Sequence, residues 1–444
     1  MSGLSTRERP TREAAPSTGL PRLLEGVPAQ GAMSLQAHIE THGELPSHSR
    51  RDRRGPAALI DNIEQAGLAG RGGASFPMAT KMRAVAGARG KPIVVVNATE
   101  GEPASLKDRT LLETLPHLVL DGAALAARAI GADEAILCVC ESAGVALERT
   151  ARAISERSRL AGGSPRIVLN VAPEGYVVGQ ESALVSHLNG KAPKPTFSQP
   201  MLFERGVRRR PTLVNNAETL AHVALIARYG PRWFRELGIA GQPGSTLVTL
   251  SGPISYPGVY EIEYGASLTS LLEAAGGTTA AARAALFGGY SGSWVDGHLL
   301  GGVALSDEHL APHGASLGAG VVLLLSEGAC PVAETVRVTR WLARQSAGQC
   351  GPCVHGLDSI ASVLEQIAGG TRDRHLSQRV AALTGLTARR GACSHPDGAV
   401  RFVTSALSVF AHEFSDHARH GQCDACRSSR EMPLPMRAGS VRAA

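Results

Sequence analysis

Cysteine pairs toward the carboxyl end are the residues of this chain best suited to hold a metal. Two Cys-x-x-Cys pairs occur, Cys350 with Cys353 and Cys423 with Cys426, and Cys393 lies between them. Thiolates are soft ligands that suit iron–sulfur clusters and zinc. The separation of the two pairs far exceeds that of paired zinc knuckles and disfavours zinc, which remains an alternative together with unligated surface thiols.

The remaining cysteines carry weaker signals. Cys138 and Cys140 fall in a β-branched run and Cys330 lies at a domain edge, so we expect core or inert thiols at all three positions. Eight cysteines in 444 residues are too few for a disulfide scaffold and indicate a reducing compartment. We predict a cytoplasmic protein that a partner could hold at the inner face of the cell membrane.

A glycine-rich loop near the front of the chain is the first candidate to bind a phosphate. Residues 67–77 read Gly-Leu-Ala-Gly-Arg-Gly-Gly-Ala-Ser-Phe-Pro, and Lys81 follows. Glycines let backbone N–H groups approach a phosphate, and nearby cations neutralise its charge. Ser75 stands where the dinucleotide fingerprint needs its last glycine, so a plain surface loop is the alternative.

Polar side chains follow a predicted buried strand at residues 93–96. The segment Asn97-Ala-Thr-Glu-Gly-Glu-Pro103 places an amide and two carboxylates where open α/β sheets bind their ligands. Carboxylates suit ribose hydroxyls, ring N–H donors or a nicotinamide amide rather than a phosphate. A solvated acidic turn is the alternative.

Two further segments complete a motif set. Residues 174–181 read Glu-Gly-Tyr-Val-Val-Gly-Gln-Glu, and residues 211–219 read Pro-Thr-Leu-Val-Asn-Asn-Ala-Glu-Thr. In this order the four segments resemble the flavin-bearing, NADH-oxidising subunit of respiratory complex I and its relatives in NAD-linked hydrogenases and formate dehydrogenases. Over residues 55–420 the resemblance implies FMN in a Rossmann-like domain, a ubiquitin-like domain and a helical bundle with a 4Fe–4S cluster.

The resemblance also implies site residues position by position. It places the FMN phosphate region at Gly70, Arg71, Gly72, Gly73 and Lys81. It lines the flavin with Asn97, Thr99, Glu100, Tyr176, Gly179, Gln180, Asn215 and Asn216. Phe76 falls where the family stacks on NADH, and Glu102 and Glu181 fall where it orients the dinucleotide.

Two positions depart from the family in the flavin pocket. Thr99 stands where the family usually has Asp, and Gln180 stands where it usually has Glu. Each lost charged acceptor costs about 1–3 kcal/mol of affinity for the group that it held. Flavin binding is nevertheless better supported than NADH binding, because the dinucleotide clamp is also altered.

The dinucleotide clamp of the family is a Lys and a Phe. Lys194 and Phe197 match these residues only if the alignment carries a gap, because the connector that follows is longer than usual. Without the gap, Ser198 and Met201 fall at these positions and the clamp is lost.

The cluster loop of the family presents three cysteines, each separated from the next by two residues, and a fourth farther on. The positions retained here are Cys350, Cys353 and Cys393. Ala347 occupies the first position. Because a 4Fe–4S cluster takes four ligands, we expect Cys423 to supply the fourth, with Cys426 and His395 as alternatives.

The pattern along the chain indicates which elements position these motifs. Residues 1–50 predict a mostly disordered lead-in. Residues 51–240 alternate β-branched runs with amphipathic stretches, which predicts the α/β FMN and NADH domain with a parallel sheet. Residues 241–330 predict a small α+β domain of the ubiquitin-like (SLBB) type. Helical periodicity over 331–427 predicts the iron–sulfur bundle, followed by a disordered tail at 428–444.

Charge and hydropathy exclude two other classes. The net charge of +6 is spread thinly, with no basic stripe or docking motif, so we expect no nucleic-acid partner. No apolar stretch approaches the ~18 residues that a spanning helix needs, so we expect no direct membrane insertion.

These observations predict an oxidoreductase in which FMN takes hydride from NADH and a cluster passes single electrons onward. The acceptor would be a ferredoxin-like or other redox protein, or a membrane reductase complex. No catalytic side chain is expected, because the cofactors carry the chemistry. The alternatives are an electron relay that no longer oxidises NADH and a cofactor-poor scaffold with a structural zinc site.

Overall fold

The computed structural model describes residues 19–46, 57–158, 165–196 and 199–435. The first unit is a parallel sheet between helices. Its strands are β1 (Ile93–Ala98), β2 (Glu134–Cys140), β3 (Arg166–Ala172) and β4 (Thr212–Asn216), in the order β3-β2-β1-β4. Its helices are α1 (Leu35–His42), α2 (Ala57–Ala66), α3 (Met78–Ala86), α4 (Lys107–Thr114), α5 (Pro116–Ile130), α6 (Gly144–Ser158), α7 (Glu181–Leu188) and α8 (Ala217–Phe234).

The centre of this sheet is apolar on both faces. Residues 93–96 of β1 are fully buried, as expected for a parallel strand that helices cover on both sides. Gly122 lets helices α5 and α8 pack closely, because it has no side chain. A Cβ at this position would lie 1.7 Å from the carbonyl oxygen of Leu220. The register of β1 with β4 pairs Asn97 with Asn216, so both amides reach the carboxyl edge of the sheet.

The second unit is a mixed sheet with two short helices. A small hairpin, β5 (Gly238–Ile239) and β6 (Gln242–Pro243), precedes it. The strands are β7 (Ser245–Ser251), β8 (Gly258–Glu263), β9 (Ala282–Phe287), β10 (Ser293–Asp296) and β11 (Val321–Ser326), in the order β10-β9-β11-β7-β8. The helices are α9 (Leu268–Ala274) and α10 (Asp307–Leu310). Only β7 and β11 pair in parallel within this five-stranded sheet of the described chain.

The third unit is a helical bundle. Its helices are α11 (Pro331–Arg344), α12 (Leu357–Ala368), α13 (Leu376–Thr387), α14 (His395–Val409) and α15 (Ala411–His420). Its core continues into the second unit, because Leu286 and Val321 of the mixed sheet pack in one cluster with Phe402 and Phe410 of the bundle. The expected fold class, a Rossmann-like domain, a small α+β domain and a helical bundle, is confirmed.

The expected disorder at both ends does not hold for the described residues there. Leu23, Leu24 and Met33 are buried in the core of the first unit. The backbone N–H groups of residues 22–24 donate to the buried carboxylate of Glu261. Few but well-placed apolar residues anchor this polar segment. The rest of the lead-in, residues 1–18 and 47–50, lies outside the described residues, as do residues 51–56 at the start of the next predicted domain.

The beginning of the tail is also packed. Met432 is buried, and Ser326 donates its backbone N–H to the carboxylate of Glu431 at 2.9 Å. Residues 436–444 lie outside the described part of the chain. Within the described part, no helix combines the length and the apolar character that crossing a bilayer demands.

Candidate functional site: a flavin pocket beside a cysteine loop

The carboxyl edge of the parallel sheet gathers the amides that the sequence singled out. Asn97 donates its side-chain N–H to the Gly179 carbonyl at 2.7 Å and accepts from the Thr99 hydroxyl at 2.8 Å. Asn216 caps α8 by accepting from the N–H of Glu218 at 3.0 Å. Three motifs distant in sequence therefore meet at this edge, as Rossmann-like topology requires.

The glycine-rich loop faces the same edge. It closes through a hydrogen bond from the Gly70 N–H to the Phe76 carbonyl at 2.9 Å. A Cβ on Gly72 would lie 3.4 Å from the Cβ of Asn216, and Gly73 has a φ of 101°. The glycines thus bring exposed backbone close to Asn216, which is the approach that a phosphate site needs.

An exposed rim carries three of the residues expected to contact NADH or the FMN phosphate. The Phe76 ring is 47 % exposed, and the Lys81 ammonium lies 5.8 Å from its centroid. Lys81 also pairs with the carboxylate of Glu181, which begins α7. An aromatic face beside a cation and a carboxylate is available here to a flat, polar ligand.

Arg71 does not point into this site. Its buried guanidinium donates to the carbonyls of Pro243 and Ser245 at 3.5 and 3.2 Å and lies over the ring of Tyr264. It is 4.0 Å from the carboxylate of Glu218. The expectation that the Arg71 side chain meets the FMN phosphate is therefore not supported, because its cation serves the contact between the first two units.

Lys107 supplies a cation that sequence reasoning missed. Its ammonium lies 3.1 Å from the Asn216 side-chain oxygen and 3.0 Å from the carboxylate of Glu218, and it is buried. Burial alone would lower the pKa of Lys107, but the carboxylates of Asp108 and Glu218 outweigh burial and raise it. The signal in the sequence was a Lys at the start of a helix that follows the sheet-edge loop.

Two expected flavin contacts are engaged with the protein itself. Glu100 accepts from the N–H groups of Asp108 and Arg109, both at 2.9 Å, and so satisfies the start of α4. Gln180 accepts from the N–H of Ala183 at 3.0 Å and caps α7. The amide oxygen of Gln180 caps the helix without a negative charge. The local fold therefore tolerates glutamine where the family usually has glutamate.

Glu102 lies beneath the site rather than at its rim. Its buried carboxylate accepts from the Tyr290 N–H at 2.8 Å and from the Tyr176 hydroxyl at 3.4 Å. Burial raises the pKa of Glu102 to about 7. The expectation that Glu102 orients NADH is therefore not supported. It holds Tyr176 in place, which the sequence could not show because Tyr290 comes from the second unit.

The side chain of Asn215 indicates whether the pocket suits a flavin, because one of its buried polar atoms lacks a partner. Its side-chain nitrogen is buried and has no hydrogen-bond partner among the described residues. A buried donor left unpaired costs about 1–3 kcal/mol, so this amide is a donor available to an acceptor on a ligand. With the glycine loop and Lys107, it fits a group that carries phosphate and ring carbonyl oxygens, as FMN does.

The dinucleotide clamp is only partly visible. Lys194 is exposed, and Met201 is exposed as well. Phe197 and Ser198 lie outside the described residues. Either alignment of this segment is compatible with these positions.

The cysteine loop lies between α11 and α12. We name Cys350, Cys353 and Cys393 the loop group. Burial raises the pKa of the Cys353 thiol, and the neighbouring thiols of Cys350 and Cys393 add to the effect. These three residues are close together and suit the iron ions of a cluster, while Ala347 offers no donor at the remaining position.

Tyr176 joins the flavin pocket to the helical bundle. Its ring lies 5.4 Å from the ring of Trp341 and 5.4 Å from that of His395, two residues after Cys393. Its backbone N–H donates to the side chain of Gln345 at 3.0 Å. Tyr176 therefore contacts the helices on either side of the loop group, while its own segment lies at the edge of the parallel sheet.

Cys423 lies with a different set of donors from the loop group. Its sulfur lies with those of Cys330 and Cys426 and with Nε2 of His417, and these four donor atoms are all within 4.8 Å of one another. Gly421, with a φ of 89°, turns the chain after α15 toward the start of α11. This grouping does not favour Cys423 as the fourth cluster ligand. Cys330 lies in the apolar core, as expected, but it has metal-ligating neighbours that the sequence did not indicate.

His395 and Cys426, the alternatives for the fourth ligand, differ in position. Cys426 lies with Cys423, outside the loop group. His395 follows Cys393 closely, and its ring nitrogen Nε2 is 2.9 Å from the Leu342 carbonyl. Its Nδ1 is buried without a partner in the described chain.

Family models match three parts of the chain. They are the Nuo51 FMN-binding domain over residues 63–225, the SLBB domain over residues 247–291, and the NADH-ubiquinone oxidoreductase-F iron-sulfur binding region over residues 333–417. The three matches confirm the expected FMN and 4Fe–4S domains and the ubiquitin-like unit between them.

Similar proteins cover most of the chain. The F 2 subunit of NADH-quinone oxidoreductase from Rhizobium meliloti is 32% identical over 382 residues, which is 83% of this chain and 90% of that protein. The corresponding F subunit of Mycobacterium tuberculosis is 32% identical over 385 residues, 83% of this chain and 86% of that protein. The HndC subunit of the NADP-reducing hydrogenase of Solidesulfovibrio fructosivorans is 29% identical, over 83% of this chain and 78% of its own length.

A solved structure shares the fold. A chain of the NAD+-reducing [NiFe]-hydrogenase in the H2-reduced state superposes with a TM-score of 0.74 at 32% identity, over 82% of this chain and 63% of that one. Motifs, architecture and relatives agree. The chain belongs to the family of NADH-quinone oxidoreductase F subunits, the flavin-bearing, NADH-oxidising proteins that carry FMN and a 4Fe–4S cluster.

Proposed function

We propose that this chain is the NADH-oxidising electron-entry subunit of a redox assembly and that it delivers electrons to a ferredoxin-like partner. The observation that carries the proposal is the position of Tyr176. Its hydroxyl is held by Glu102 on the flavin side, and its ring contacts Trp341 and His395 beside the loop group. These contacts supply the short connection that electron transfer between the two sites requires.

The cofactors supply the redox chemistry: FMN accepts a hydride and releases electrons one at a time, and the cluster carries single electrons. The chain supplies placement. The exposed Phe76 ring offers a stacking face, and the pair of Lys81 and Glu181 beside it can bind ribose hydroxyls and neutralise phosphate charge. Binding of the nicotinamide at this rim would also exclude water from the pocket below.

The flavin pocket carries less negative charge than is usual in the family. Thr99 and Gln180 replace two carboxylates, while the buried Lys107 remains beside Asn216. A more positive pocket favours the electron-rich form of a bound flavin, since the added electrons bring negative charge. We expect the flavin of this chain to be a better electron acceptor than that of relatives with both acids.

The need for a partner follows from the chemistry. A hydride acceptor without an electron outlet stops after one turnover, and the relatives carry names of subunits from oxidoreductases and hydrogenases. We therefore infer a multi-subunit redox assembly. A small ferredoxin-like protein or a membrane reductase is the acceptor that suits single electrons leaving the loop group.

The test is the visible spectrum of anaerobically purified protein before and after addition of NADH. We expect flavin absorbance to bleach and broad iron–sulfur absorbance to fall, and a ferredoxin added next to become reduced. If dithionite bleaches the flavin absorbance but excess NADH does not, the result would instead support an electron relay that no longer oxidises NADH. If the protein retains no flavin after gentle purification, the proposed NADH-oxidising activity would be rejected.

A further inference from the structure

Four metal-ligating side chains converge away from the flavin pocket and the loop group. We name Cys330, His417, Cys423 and Cys426 the tail group. The sulfur of Cys426 lies 3.4 Å from that of Cys330 and 3.6 Å from that of Cys423. Nε2 of His417 lies 3.1 Å from the Cys426 sulfur and 3.6 Å from the Cys330 sulfur. All four donor atoms lie within 4.8 Å of one another.

Different elements bring these donors together. Cys330 is the residue before α11, and His417 lies in the last turn of α15. Cys423 precedes, and Cys426 lies within, a short turn at Asp424–Arg427 that follows the reversal at Gly421. A cluster assembled from two helix ends and a returning loop is typical of a structural metal site in a small domain.

The spacing of the donors matches that around one tetrahedral ion. Zinc–sulfur bonds of about 2.3 Å and zinc–nitrogen bonds of about 2.0 Å place sulfurs about 3.8 Å apart and a nitrogen about 3.5 Å from each sulfur. Four of the six donor separations are 3.1–3.6 Å and the other two are within 4.8 Å, so small side-chain shifts would reach these values. A cubane cluster would need donors farther apart, because each ligand binds a different iron.

The surroundings also prepare these groups to bind a cation. Nδ1 of His417 is 2.8 Å from the Glu413 carbonyl, and donation there leaves the Nε2 lone pair for a metal. The Ala333 N–H at the start of α11 donates to the Cys330 sulfur at 3.4 Å, and such a donor favours a thiolate. Cys330 and His417 are buried while Cys423 is exposed, so an ion would have an entry path.

We propose that the tail group binds one zinc ion in a closed, structural Cys3His site. The proposal is independent of the electron donor and goes beyond the proposed function. It gives the ion a defined task, because the segment that follows Cys426 packs along the junction of the second and third units. The Cys330 N–H donates to the Ser429 hydroxyl at 2.6 Å, and Glu431 accepts from Ser326.

The fastened segment reaches the flavin side of the molecule. Tyr290 donates its hydroxyl to the Pro433 carbonyl and its backbone N–H to Glu102, which holds Tyr176. Zinc at the tail group therefore stabilises a segment that supports the wall of the flavin pocket without touching the flavin.

Metal and sulfide analysis of the full-length protein tests the proposal. Protein expressed with zinc and iron and purified anaerobically is compared with Cys426→Ser and with the control Cys140→Ser, which changes a half-buried thiol on β2. We expect one zinc per chain in the wild type and the control and at least tenfold less zinc in Cys426→Ser. Iron, sulfide and flavin should be the same in all three.

Four results of this comparison would overturn the site. They are wild-type protein without zinc after reconstitution, equal zinc in Cys426→Ser, a lone iron ion in place of zinc, or loss of iron and sulfide in Cys426→Ser. The last result would return these cysteines to the cluster.

A second measurement needs no variant and covers the case in which Cys426→Ser does not fold. Thiol alkylation of the wild type is followed by mass spectrometry with zinc bound and after chelation. Cys423 is exposed, so folding alone cannot protect it, and we expect chelation to accelerate its alkylation at least tenfold while Cys140 changes little. Equal rates, or a disulfide between Cys423 and Cys426 in freshly purified protein, would contradict the proposal.

Discussion

The loop group and the tail group both consist mainly of cysteines, but we assign the loop group to an iron–sulfur cluster and the tail group to a single zinc ion. Both contain a Cys-x-x-Cys pair, but the donors of the tail group lie within 4.8 Å of one another and comprise a full set of four. The loop group has three thiols and Ala347 at the remaining position of the motif. The comparison shows that a Cys-x-x-Cys pair does not define its site alone, because the partners that complete each group come from other segments of the chain.

The two groups also differ in their relation to the family. The family model for the iron-sulfur region covers residues 333–417, which includes the loop group and stops before Cys423 and Cys426. The loop group therefore lies in the part of the chain that carries electrons in the family. The tail group draws most of its donors from outside that region, and it fastens a segment that the sequence pattern alone suggested was disordered.

The largest effect is expected from Cys353→Ser. Removing a buried ligand from a group that has only three thiols should abolish the cluster, with iron and sulfide falling at least tenfold. Zinc and flavin should be unchanged, because the tail group and the glycine loop are not touched. Elemental analysis and the flavin absorbance check this, and zinc loss in parallel with iron would show that the two groups are not separate.

Removal of zinc is expected to lower the global stability. An ion at a thousandfold excess over its dissociation constant stabilises the folded state by about 4 kcal/mol. Urea unfolding of the wild type with zinc and with a chelator should differ by roughly this amount. Cys426→Ser should show no such difference, whereas a chelator effect that persists in this variant would place the responsible ion elsewhere.

Glu102 contacts Tyr290, which binds the segment after Cys426, and Tyr176, which lies beside the flavin pocket. Its ionisation makes the stability of the protein depend on pH. Its pKa is about 7 in the folded state and 4.5 in the reference state, so the folded protein binds the extra proton between these values. This contribution to stability is present below about pH 4.5 and is lost as the pH rises to about 7. Glu102→Gln keeps an acceptor for the Tyr290 N–H but cannot ionise.

The free energy of unfolding of Glu102→Gln, relative to the wild type, should therefore rise by up to about 3 kcal/mol between pH 4.5 and pH 8. Urea unfolding at both pH values measures it. A constant difference between the two proteins would show that folding does not raise the pKa of Glu102, and unchanged zinc content would confirm that the tail group is intact.

The smallest effect is expected from completing the loop group. Ala347→Cys restores the missing thiol of the motif, so we expect the cluster to survive exposure to air severalfold longer than in the wild type. The decay of iron–sulfur absorbance measures this. A control, Ala343→Cys on α11, should leave the lifetime unchanged, and an equal lifetime in Ala347→Cys would mean that the position does not face the cluster.

Local patterns predicted the elements and the sheet edge. The buried run at residues 93–96 and the polar residues after it indicated a ligand-binding edge, and the register of β1 with β4 brings Asn97 and Asn216 together there. Phe76, Lys81 and Glu181 lie together at the rim, and their contacts with a ligand stay a prediction. These successes rest on strand topology, which short sequence periods report faithfully.

Contacts between distant segments could not be predicted. Arg71 and Glu102 have the residue types of ligand contacts, but partners from the second unit, Ser245 and Tyr290, draw them into the protein interior. Cys330 lacks a neighbouring cysteine in sequence, and only the reversal at Gly421 reveals its partners. Side chains whose environment is set by another unit carry no local signal.

The central claim is that one chain passes electrons from NADH through a flavin pocket to the loop group. Rapid mixing of anaerobic wild-type protein with NADH, followed by freeze-quenching and electron spin resonance, tests it most directly. We predict that the signal of the reduced cluster appears as flavin absorbance falls and that Cys353→Ser shows only the fall in flavin absorbance. Complete flavin reduction with the cluster left oxidised would contradict the account.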